Sequence, residues 1–260
     1  MQPRADRISL SSGELSYYAA GDGRPVVYLH PAGGVRWTMV QDELAKSFKL
    51  RVPIAPGFDG TPAHPSVKSM KELAALAAEF IEKTIGGPCD VIGCSFGGYL
   101  ATWLAAQRPD LVDHLVLECP AGFRPRGHGG RPSSPEELRK LLFLYPEKAR
   151  DDKTAEIEAA NRRMLAHYGY SPDTDEELLA RLPSIDRLTL ILHGTADRMI
   201  PRESVQLLKA RLPHAFLVYI WDAAHAIEVD QPERALAVLK SFLERSEGFM
   251  VNWGTLAVHP

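Results

Sequence analysis

The chain has 260 residues, of which 45% are hydrophobic and 24% are charged, a balance that predicts a soluble globular protein with a substantial core. Its formal net charge of −3 provides no basic field for nucleic acid, so we expect no nucleic-acid partner. No apolar run reaches ~18 residues and the polar N-terminus lacks the apolar stretch of a secretory signal, so neither membrane insertion nor export is expected.

The first half of the chain alternates strand patterns with helix patterns. "RISL" and "ELSYYAAG", separated by "SSG", predict a hairpin. The apolar residues of "SMKELAALAAEFIEKTIGG" recur at spacings of three, four and seven, and this period predicts a helix that ends near Gly86. Further strands are predicted at "PVVYLH", "LRVPIAP" and "CDVIGCS", and further helices at "WTMVQDELAKSF" and from Phe96 to Gln107.

The second half begins with another strand, "HLVLECPA", and then departs from this alternation. A Pro/Gly-rich stretch leads into a helical, charged and strand-free region from about Glu136 to Leu182. The alternation resumes with a strand, a helix, a strand and a helix at "LTLILHG", "RESVQLLKARL", "AFLVYIWDA" and "QPERALAVLKSFLERS".

This order of elements predicts an α/β fold with a mostly parallel sheet covered by helices on both faces. The helical region has too few strong apolar positions for a core of its own. We therefore predict one core domain, residues 1–121 and 186–260, with a helical lid inserted at residues 122–185.

A serine stands at one of the predicted strand-to-helix turns, inside "GCSFG". This is the G-x-S-x-G pattern of a nucleophile elbow, in which the glycines at 93 and 97 let strand and helix approach closely around Ser95. The helix that begins at Phe96 points its N-terminal dipole toward the serine and favours negative charge there. Such matches also occur by chance, so the strand before Ser95 and the helix after it matter more than the motif itself.

A serine hydroxyl needs a base, and the base needs a carboxylate that orients it. Asp197 follows the strand "LTLILHG", and His225 follows the next strand. The order Ser95, Asp197, His225 is the order of this architecture, and all three residues stand at carboxyl ends of strands, where open α/β sheets build their sites.

With these residues in place, the chain resembles a lidded serine hydrolase of the α/β-hydrolase-fold superfamily, a group that includes small-molecule esterases and carbon–carbon bond hydrolases. The motifs that carry the resemblance occur in the superfamily's order across nearly the whole chain: "YLHPAGG", "APGFDGTP", "GCSFGG", "LVLECPAG", "HGTADRMIP" and "AAHAIEVDQPE". The resemblance implies an eight-stranded sheet. It also implies that the triad is Ser95, Asp197 and His225.

Alternatives to the triad acid and to the triad histidine stay open at this point. Glu118 closes the strand before the insertion, and some relatives of this fold take their triad acid from that strand. Asp222 also precedes His225, by three residues, and is expected to brace its loop. The resemblance makes His30 and His193 structural, and the remaining histidines lie in loops or charged stretches.

Acyl transfer also requires two N–H donors for the oxyanion. Phe96 N–H is one expected donor. The other should come from "HPAGG", where the superfamily usually has His-Gly. Because Pro31 has no N–H, we predict Ala32 as the second donor and Gly33 as the alternative.

A serine nucleophile argues against dehalogenase or epoxide hydrolase chemistry. We find no metal-ligand spacing and no dinucleotide fingerprint, so no metal or cofactor is expected and the partners are a small-molecule substrate and water. The leading hypothesis is hydrolysis of a small carboxylic ester, thioester or lactone through an acyl-enzyme. Two alternatives are a carbon–carbon bond hydrolase of a diketone-type substrate and a slow-turnover ligand receptor on the same fold.

The carbon–carbon hydrolases that share this triad commonly carry a Trp soon after the catalytic histidine, whereas this chain has "HAIEVD". The three cysteines at 89, 94 and 119 match neither a zinc pattern nor a redox pair and predict a reduced, cytoplasmic protein. The oligomeric state, the natural substrate and the role of the tail after residue 247 stay open.

Overall fold

The computed structural model describes residues 3–126, 128, 132–150, 153–249, 251–252 and 257–258. Parts of the predicted lid and of the C-terminal tail, including His259, therefore lie outside the described residues. None of the helices in the described parts of the chain is long and apolar enough to cross a bilayer.

Eight strands form one sheet in the order β1-β2-β4-β3-β5-β6-β7-β8. The strands are β1 (Arg4–Leu10), β2 (Gly13–Ala20), β3 (Arg24–Leu29), β4 (Phe48–Pro53), β5 (Cys89–Cys94), β6 (Val112–Glu118), β7 (Leu188–Gly194) and β8 (Ala215–Ile220). β2 runs antiparallel to both β1 and β4, and every other neighbouring pair in this sheet is parallel. Two short strands near the C-terminus, β9 (Val251–Asn252) and β10 (Ala257–Val258), pair separately.

Helices cover both faces of this sheet. Their bounds are α1 (Met39–Leu44), α2 (Met70–Thr84), α3 (Phe96–Gln107), α4 (Pro135–Leu142), α5 (Ala155–His167), α6 (Glu176–Arg181), α7 (Arg202–Arg211), α8 (Ile227–Asp230) and α9 (Pro232–Arg245). The predicted fold class, a mostly parallel eight-stranded sheet with helices on both faces, is confirmed.

Alternate residues of the central strands supply the two halves of the core. On β5, Val91 packs into the cluster that includes α2 and α3, whereas Ile92 packs into the cluster that includes α1 and α9. Because successive strand residues point to opposite faces, a strand that is buried on both faces has to be apolar throughout. That is why these strands are continuous apolar runs in the sequence.

The segment between β6 and β7, residues 122–185, is called the insertion below. Within its described residues it contains α4, α5 and α6 and one isolated bridge, but no extended strand. Met164 and Leu165 pack against the larger core cluster, and the Tyr168 hydroxyl donates to Pro56 O at 2.7 Å. Through these contacts the insertion packs against the rest of the described chain, which is called the body below. Its role as a lid stays a prediction.

Candidate active site

The turn between β5 and α3 holds Ser95 in a strained backbone conformation, with φ 53° and ψ −108°. A residue other than glycine adopts this region only when its surroundings enforce it. The backbone bonds that do so join Ser95 to the neighbouring strand end: Ser95 N–H donates to Glu118 O at 2.8 Å, and Ser95 O accepts from Ala121 N–H at 3.1 Å.

The glycines around Ser95 are required by close packing. A Cβ at Gly93 would clash with the carbonyl of Gly97, and a Cβ at Gly97 would clash with the carbonyl of Leu29 on the neighbouring strand. Neither glycine has a positive φ, so space rather than backbone freedom demands them. The strand and the helix can therefore meet at a turn that presents the serine.

The structure brings Ser95, His225 and Asp197 together from three strand ends. Ser95 Oγ lies 2.8 Å from His225 Nε2, and His225 Nδ1 lies 2.9 Å from Asp197 Oδ2. Ser95 and His225 are each 5% exposed. In the tautomer that donates Nδ1–H to Asp197, Nε2 is free to accept the serine proton. This arrangement suits proton transfer from a hydroxyl to an imidazole.

The carboxylate of Asp197 is held by several donors. Its Oδ1 accepts the N–H groups of Met199 at 2.7 Å and Ile200 at 3.0 Å, while Oδ2 faces His225. Burial opposes ionisation, but the charge and hydrogen bond of His225 and the N–H of Ile200 outweigh it, so the pKa of Asp197 lies below its ordinary value. Asp197 is thus built to stay ionised beside the imidazole.

Glu118, the other candidate acid, lies in a different environment. It is 1% exposed, and neither carboxyl oxygen has a well-aligned hydrogen-bond partner among the described residues. Burial and the nearby charge of Glu228 raise the pKa of Glu118 well above its ordinary value. The imidazole Nδ1 that a triad acid would contact is bonded to Asp197 instead.

Glu228 completes a buried carboxyl pair with Glu118. One of its oxygens accepts from Gln41 Nε2 at 2.8 Å and from the Thr38 hydroxyl at 3.3 Å, while the other has no well-aligned partner in the described chain. Burial raises the pKa of Glu228 to about 7, against the opposing effect of these hydrogen bonds. Sequence reasoning did not single out Glu228, because an acid in a short loop helix gives no signal of burial.

The loop after β3 provides backbone donors near the serine turn. Gly34 N–H donates to Pro31 O at 2.9 Å and Val35 N–H to Asp59 Oδ2 at 2.7 Å. In contrast, the N–H groups of Ala32 and Phe96 find no acceptor among the residues that the structure describes. The described chain therefore leaves both donors unused.

A polar cluster that the sequence did not reveal holds this loop. Asn161, on α5 and 1% exposed, donates through Nδ2 to Gly33 O at 2.9 Å and to Asp59 Oδ1 at 3.0 Å. Lys153 forms an ion pair with the same Asp59 oxygen at 2.5 Å. The insertion is thus bonded to the loop that carries Ala32.

The other histidines at strand ends, His30 and His193, are both buried. His30 Nε2 accepts from Ala55 N–H at 3.0 Å, and burial lowers the pKa of His30. His193 is 2% exposed and lies 3.9 Å from Asp197 Oδ2. Neither is bonded to Ser95, whose described imidazole partner is His225.

One group of possible metal ligands occurs among the described residues. Single ligand atoms of Cys119, His193 and Asp197 lie within 4.8 Å of one another. Both oxygens of Asp197 are already bonded, and burial raises the pKa of Cys119 far above its ordinary value, which disfavours the thiolate that a metal requires. We assign no metal to this group.

Comparison with known proteins shows the family of the chain. The sequence profile described as "Alpha/beta hydrolase family" matches residues 26–238. The chain belongs to this family. Its members include hydrolytic enzymes that carry a serine nucleophile, and this chain is a hydrolytic enzyme of that type.

Relatives with two different chemistries match this family member. The chain is 25% identical to a 2-hydroxymuconate semialdehyde hydrolase of a Pseudomonas species, over 96% of this chain and 98% of the relative. It is 27% identical to a pimeloyl-[acyl-carrier protein] methyl ester esterase of Aeromonas salmonicida, over 86% of this chain and 96% of the relative.

Solved structures show the same fold. A meta-cleavage product hydrolase from Pseudomonas fluorescens superposes with a TM-score of 0.77 at 19% identity, covering 92% of this chain and 97% of the other. A thermophilic esterase from Thermogutta terrifontis superposes with a TM-score of 0.65 at 23% identity, covering 94% and 98%. The predicted resemblance to the superfamily is confirmed, and both esterases and carbon–carbon hydrolases are among the relatives.

Proposed function

We propose that this α/β hydrolase cleaves a small carboxylic ester, thioester or lactone through an acyl-enzyme, with Ser95 as nucleophile, His225 as general base and Asp197 as the orienting acid. The observation that carries the proposal is the continuous hydrogen-bonded chain from Ser95 Oγ through His225 to Asp197, at 2.8 and 2.9 Å. Asp197 is preferred to Glu118 because Asp197 is the acid bonded to the imidazole.

The proposed reaction follows from these contacts. Ser95 Oγ attacks the carbonyl carbon while His225 Nε2 accepts the serine proton, and the imidazolium is stabilised by Asp197. His225 then gives this proton to the leaving oxygen or sulfur, which departs and leaves an ester on Ser95. A water molecule repeats the sequence, with His225 again as base, and releases the acid and free Ser95.

The carbonyl oxygen becomes negatively charged in the transition state, and donors aimed at that charge lower the barrier. We assign this role to the N–H groups of Ala32 and Phe96, which have no acceptor in the described chain. The N-terminal end of α3 adds the positive end of its dipole. The contact between Asn161 and Gly33 keeps the loop that carries Ala32 in place.

We assign the insertion the role of a lid. The ring of Tyr170 lies 5.6 Å from that of Phe96, and Leu142 O accepts from Ala226 N–H at 2.9 Å. The insertion therefore contacts the residue after the nucleophile and the residue after the base. We expect the insertion to limit access to Ser95 through these contacts.

The test is a stopped-flow experiment with p-nitrophenyl acetate and butyrate on the natural chain and on Ser95→Ala. We expect a burst of about one equivalent of nitrophenol per site followed by turnover, as an acyl-enzyme requires. Both phases should vanish in Ser95→Ala. A signal that is equal in the two proteins contradicts the proposal. A burst with almost no later turnover favours the receptor alternative.

Carbon–carbon bond hydrolysis is the second candidate, because relatives of that activity match almost the whole chain. The Ala226–Glu228 stretch after His225 argues for ester cleavage, since it lacks the Trp that such enzymes commonly carry. The two candidates are separated by a coloured dienol substrate. Loss of its colour, without any nitrophenyl ester burst, would select carbon–carbon cleavage.

A further inference from the structure

A buried carboxylate joins the loop of His225 to the insertion. Asp230 is 0% exposed, and its Oδ2 accepts from Ala224 N–H at 2.8 Å. The same side chain accepts from Leu144 N–H at 3.0 Å and from Tyr145 N–H at 3.0 Å. Ala224 directly precedes the imidazole residue, and the other two donors lie two and three residues after the end of α4. One carboxylate thus spans the body and the insertion.

A backbone bond ties the other neighbour of His225 to the same segment. Ala226 N–H donates to Leu142 O at 2.9 Å. The residues on both sides of His225 are therefore bonded, directly or through Asp230, to residues 142–145. Lys148, a few residues further along the insertion, donates through Nζ to Asp230 O at 2.9 Å.

We propose that Asp230 is a positioning residue that sets the imidazole of His225 according to whether residues 142–145 of the insertion are seated on the body. This inference rests on the proposed function, in which His225 is the base. When the segment is seated, both neighbours of the imidazole are fixed, and Nε2 faces Ser95. When it lifts, the Leu144 and Tyr145 donors and the Leu142 acceptor leave together, and the loop of His225 loses these restraints.

The chemistry of the carboxylate explains why an acid is needed here. Three N–H donors converge on Asp230 from two directions, and a carboxylate accepts at both oxygens. An asparagine has one accepting oxygen and one donating NH₂. An amide oxygen in the place of Oδ1 keeps Leu144 and Tyr145 but sets NH₂ against Ala224 N–H, and one in the place of Oδ2 keeps Ala224 and Leu144 but sets NH₂ against Tyr145 N–H. In either orientation one buried N–H loses its acceptor, so Asp230→Asn weakens the bridge with little change in volume.

The first experiment compares Asp230→Asn with Glu233→Gln, which makes the same charge change at an exposed position three residues later. We expect kcat for a p-nitrophenyl ester to fall by about 100-fold in Asp230→Asn with a smaller change in KM, because a displaced base costs rate even at saturating substrate. Glu233→Gln should keep the activity of the natural chain. Equal kcat values in the two variants overturn the proposal.

The second experiment removes the bridge from the insertion side. Leu144→Pro deletes the N–H that contacts both oxygens of Asp230, and Leu144→Ala truncates the same side chain, 41% exposed, but keeps this N–H. The preceding residue, Phe143, has φ −125° and ψ 133°, which suits a residue before proline. We expect Leu144→Pro to lose kcat as Asp230→Asn does and Leu144→Ala to retain it. Equal losses in the two Leu144 variants would contradict the proposal.

A spectroscopic measurement needs no substrate. The proton between His225 Nδ1 and Asp197 gives a far-downfield NMR signal when the pair is held in place. We expect this signal to weaken or disappear in Asp230→Asn and Leu144→Pro and to persist in Glu233→Gln and Leu144→Ala. Persistence in all four variants overturns the positioning role.

The two proposals fail in different ways. A natural chain that shows no Ser95-dependent burst contradicts the ester hydrolase, while the NMR comparison still tests the bridge. A natural chain with a burst, and an Asp230→Asn variant with the same kcat and the same NMR signal, contradicts the bridge alone. If Asp230→Asn does not fold, the pair of Leu144 variants carries the test, because their side chain is exposed and their substitution leaves the carboxylate intact.

Discussion

Two regions of the molecule bury acidic side chains near the nucleophile turn, and they shift the pKa of a carboxyl group in opposite directions. Around Asp197, two backbone N–H groups and His225 contact the carboxylate, and its pKa is held low. Around Glu118 and Glu228, three carboxyl oxygens have no well-aligned partner in the described chain, the two acids share the nearby Tyr28 hydroxyl, and burial raises both pKa values. Burial is similar in the two regions, so the neighbours decide which carboxyl group stays charged: His225 and backbone N–H groups beside Asp197, a second carboxyl group beside Glu118.

The largest expected effect comes from removing the charge at the donor-rich region. Asp197→Asn should lower kcat by about 10⁴-fold, because the amide no longer holds the imidazole in the tautomer that accepts the serine proton. Steady-state hydrolysis of p-nitrophenyl butyrate measures this loss, and thermal unfolding confirms that the variant is folded. Retained turnover in Asp197→Asn would contradict the assignment of Asp197 as the triad acid.

The next effect concerns the donors themselves. Ala32→Pro removes the N–H that we assign to the oxyanion, while Ala32→Gly keeps it. We expect Ala32→Pro to lose roughly 10²–10³-fold in kcat, the typical cost of one oxyanion donor. Ala32→Gly should differ little from the natural chain. If the two variants are equally active, Gly33, the alternative of the sequence analysis, becomes the candidate.

Glu118→Gln tests the donor-poor region by the same assay. Because Glu118 does not contact His225, we expect less than about tenfold change in kcat. A loss as large as that of Asp197→Asn would make Glu118 the triad acid and reverse the assignment.

The smallest effect is on stability and depends on pH. Folding raises the pKa of Glu228 from 4.5 to about 7, so between these values the folded chain binds more protons than the unfolded chain. The free energy of unfolding therefore falls, by up to a few kcal/mol, as pH rises through that window. Glu118 acts in the same direction.

Glu228→Gln should reduce this pH dependence. Thermal unfolding at pH 5 and pH 8 measures it, with the exposed Glu233→Gln as the matched control. We expect the midpoint of the natural chain and of Glu233→Gln to fall more between the two pH values than that of Glu228→Gln. An identical fall in all three proteins would contradict a buried protonated pair.

The local patterns in the sequence were sufficient to predict the fold and the nucleophile turn. α3 spans Phe96–Gln107, the range predicted from its apolar run and the glycines before it. Here the local structure that each residue favours is also the one that its tertiary contacts require, because few residue types fit a tight strand-to-helix turn. Strand ends also placed Ser95, Asp197 and His225 at one edge of a parallel sheet.

No local pattern in the sequence predicted the polar contacts of the insertion. Asp230 lies 86 residues from Leu144 along the chain, and Asn161 lies 128 residues from Gly33. Each is a polar residue in or beside a charged helix, which usually indicates exposure to water. Its burial depends on which backbone N–H or C=O groups the tertiary fold brings to it.

The sequence by itself therefore determined the class of fold, the order of its strands and helices, and the residues that meet at the carboxyl edge of the sheet. Periodicity and turn residues act over a few positions and are visible in the letters. Only the tertiary structure decided which acid contacts the imidazole, which acids are buried together, and how the insertion is bonded to the loops of Ala32 and His225. These outcomes depend on hydrogen-bond donors supplied by distant backbone, and a single sequence does not encode such donors in any local pattern.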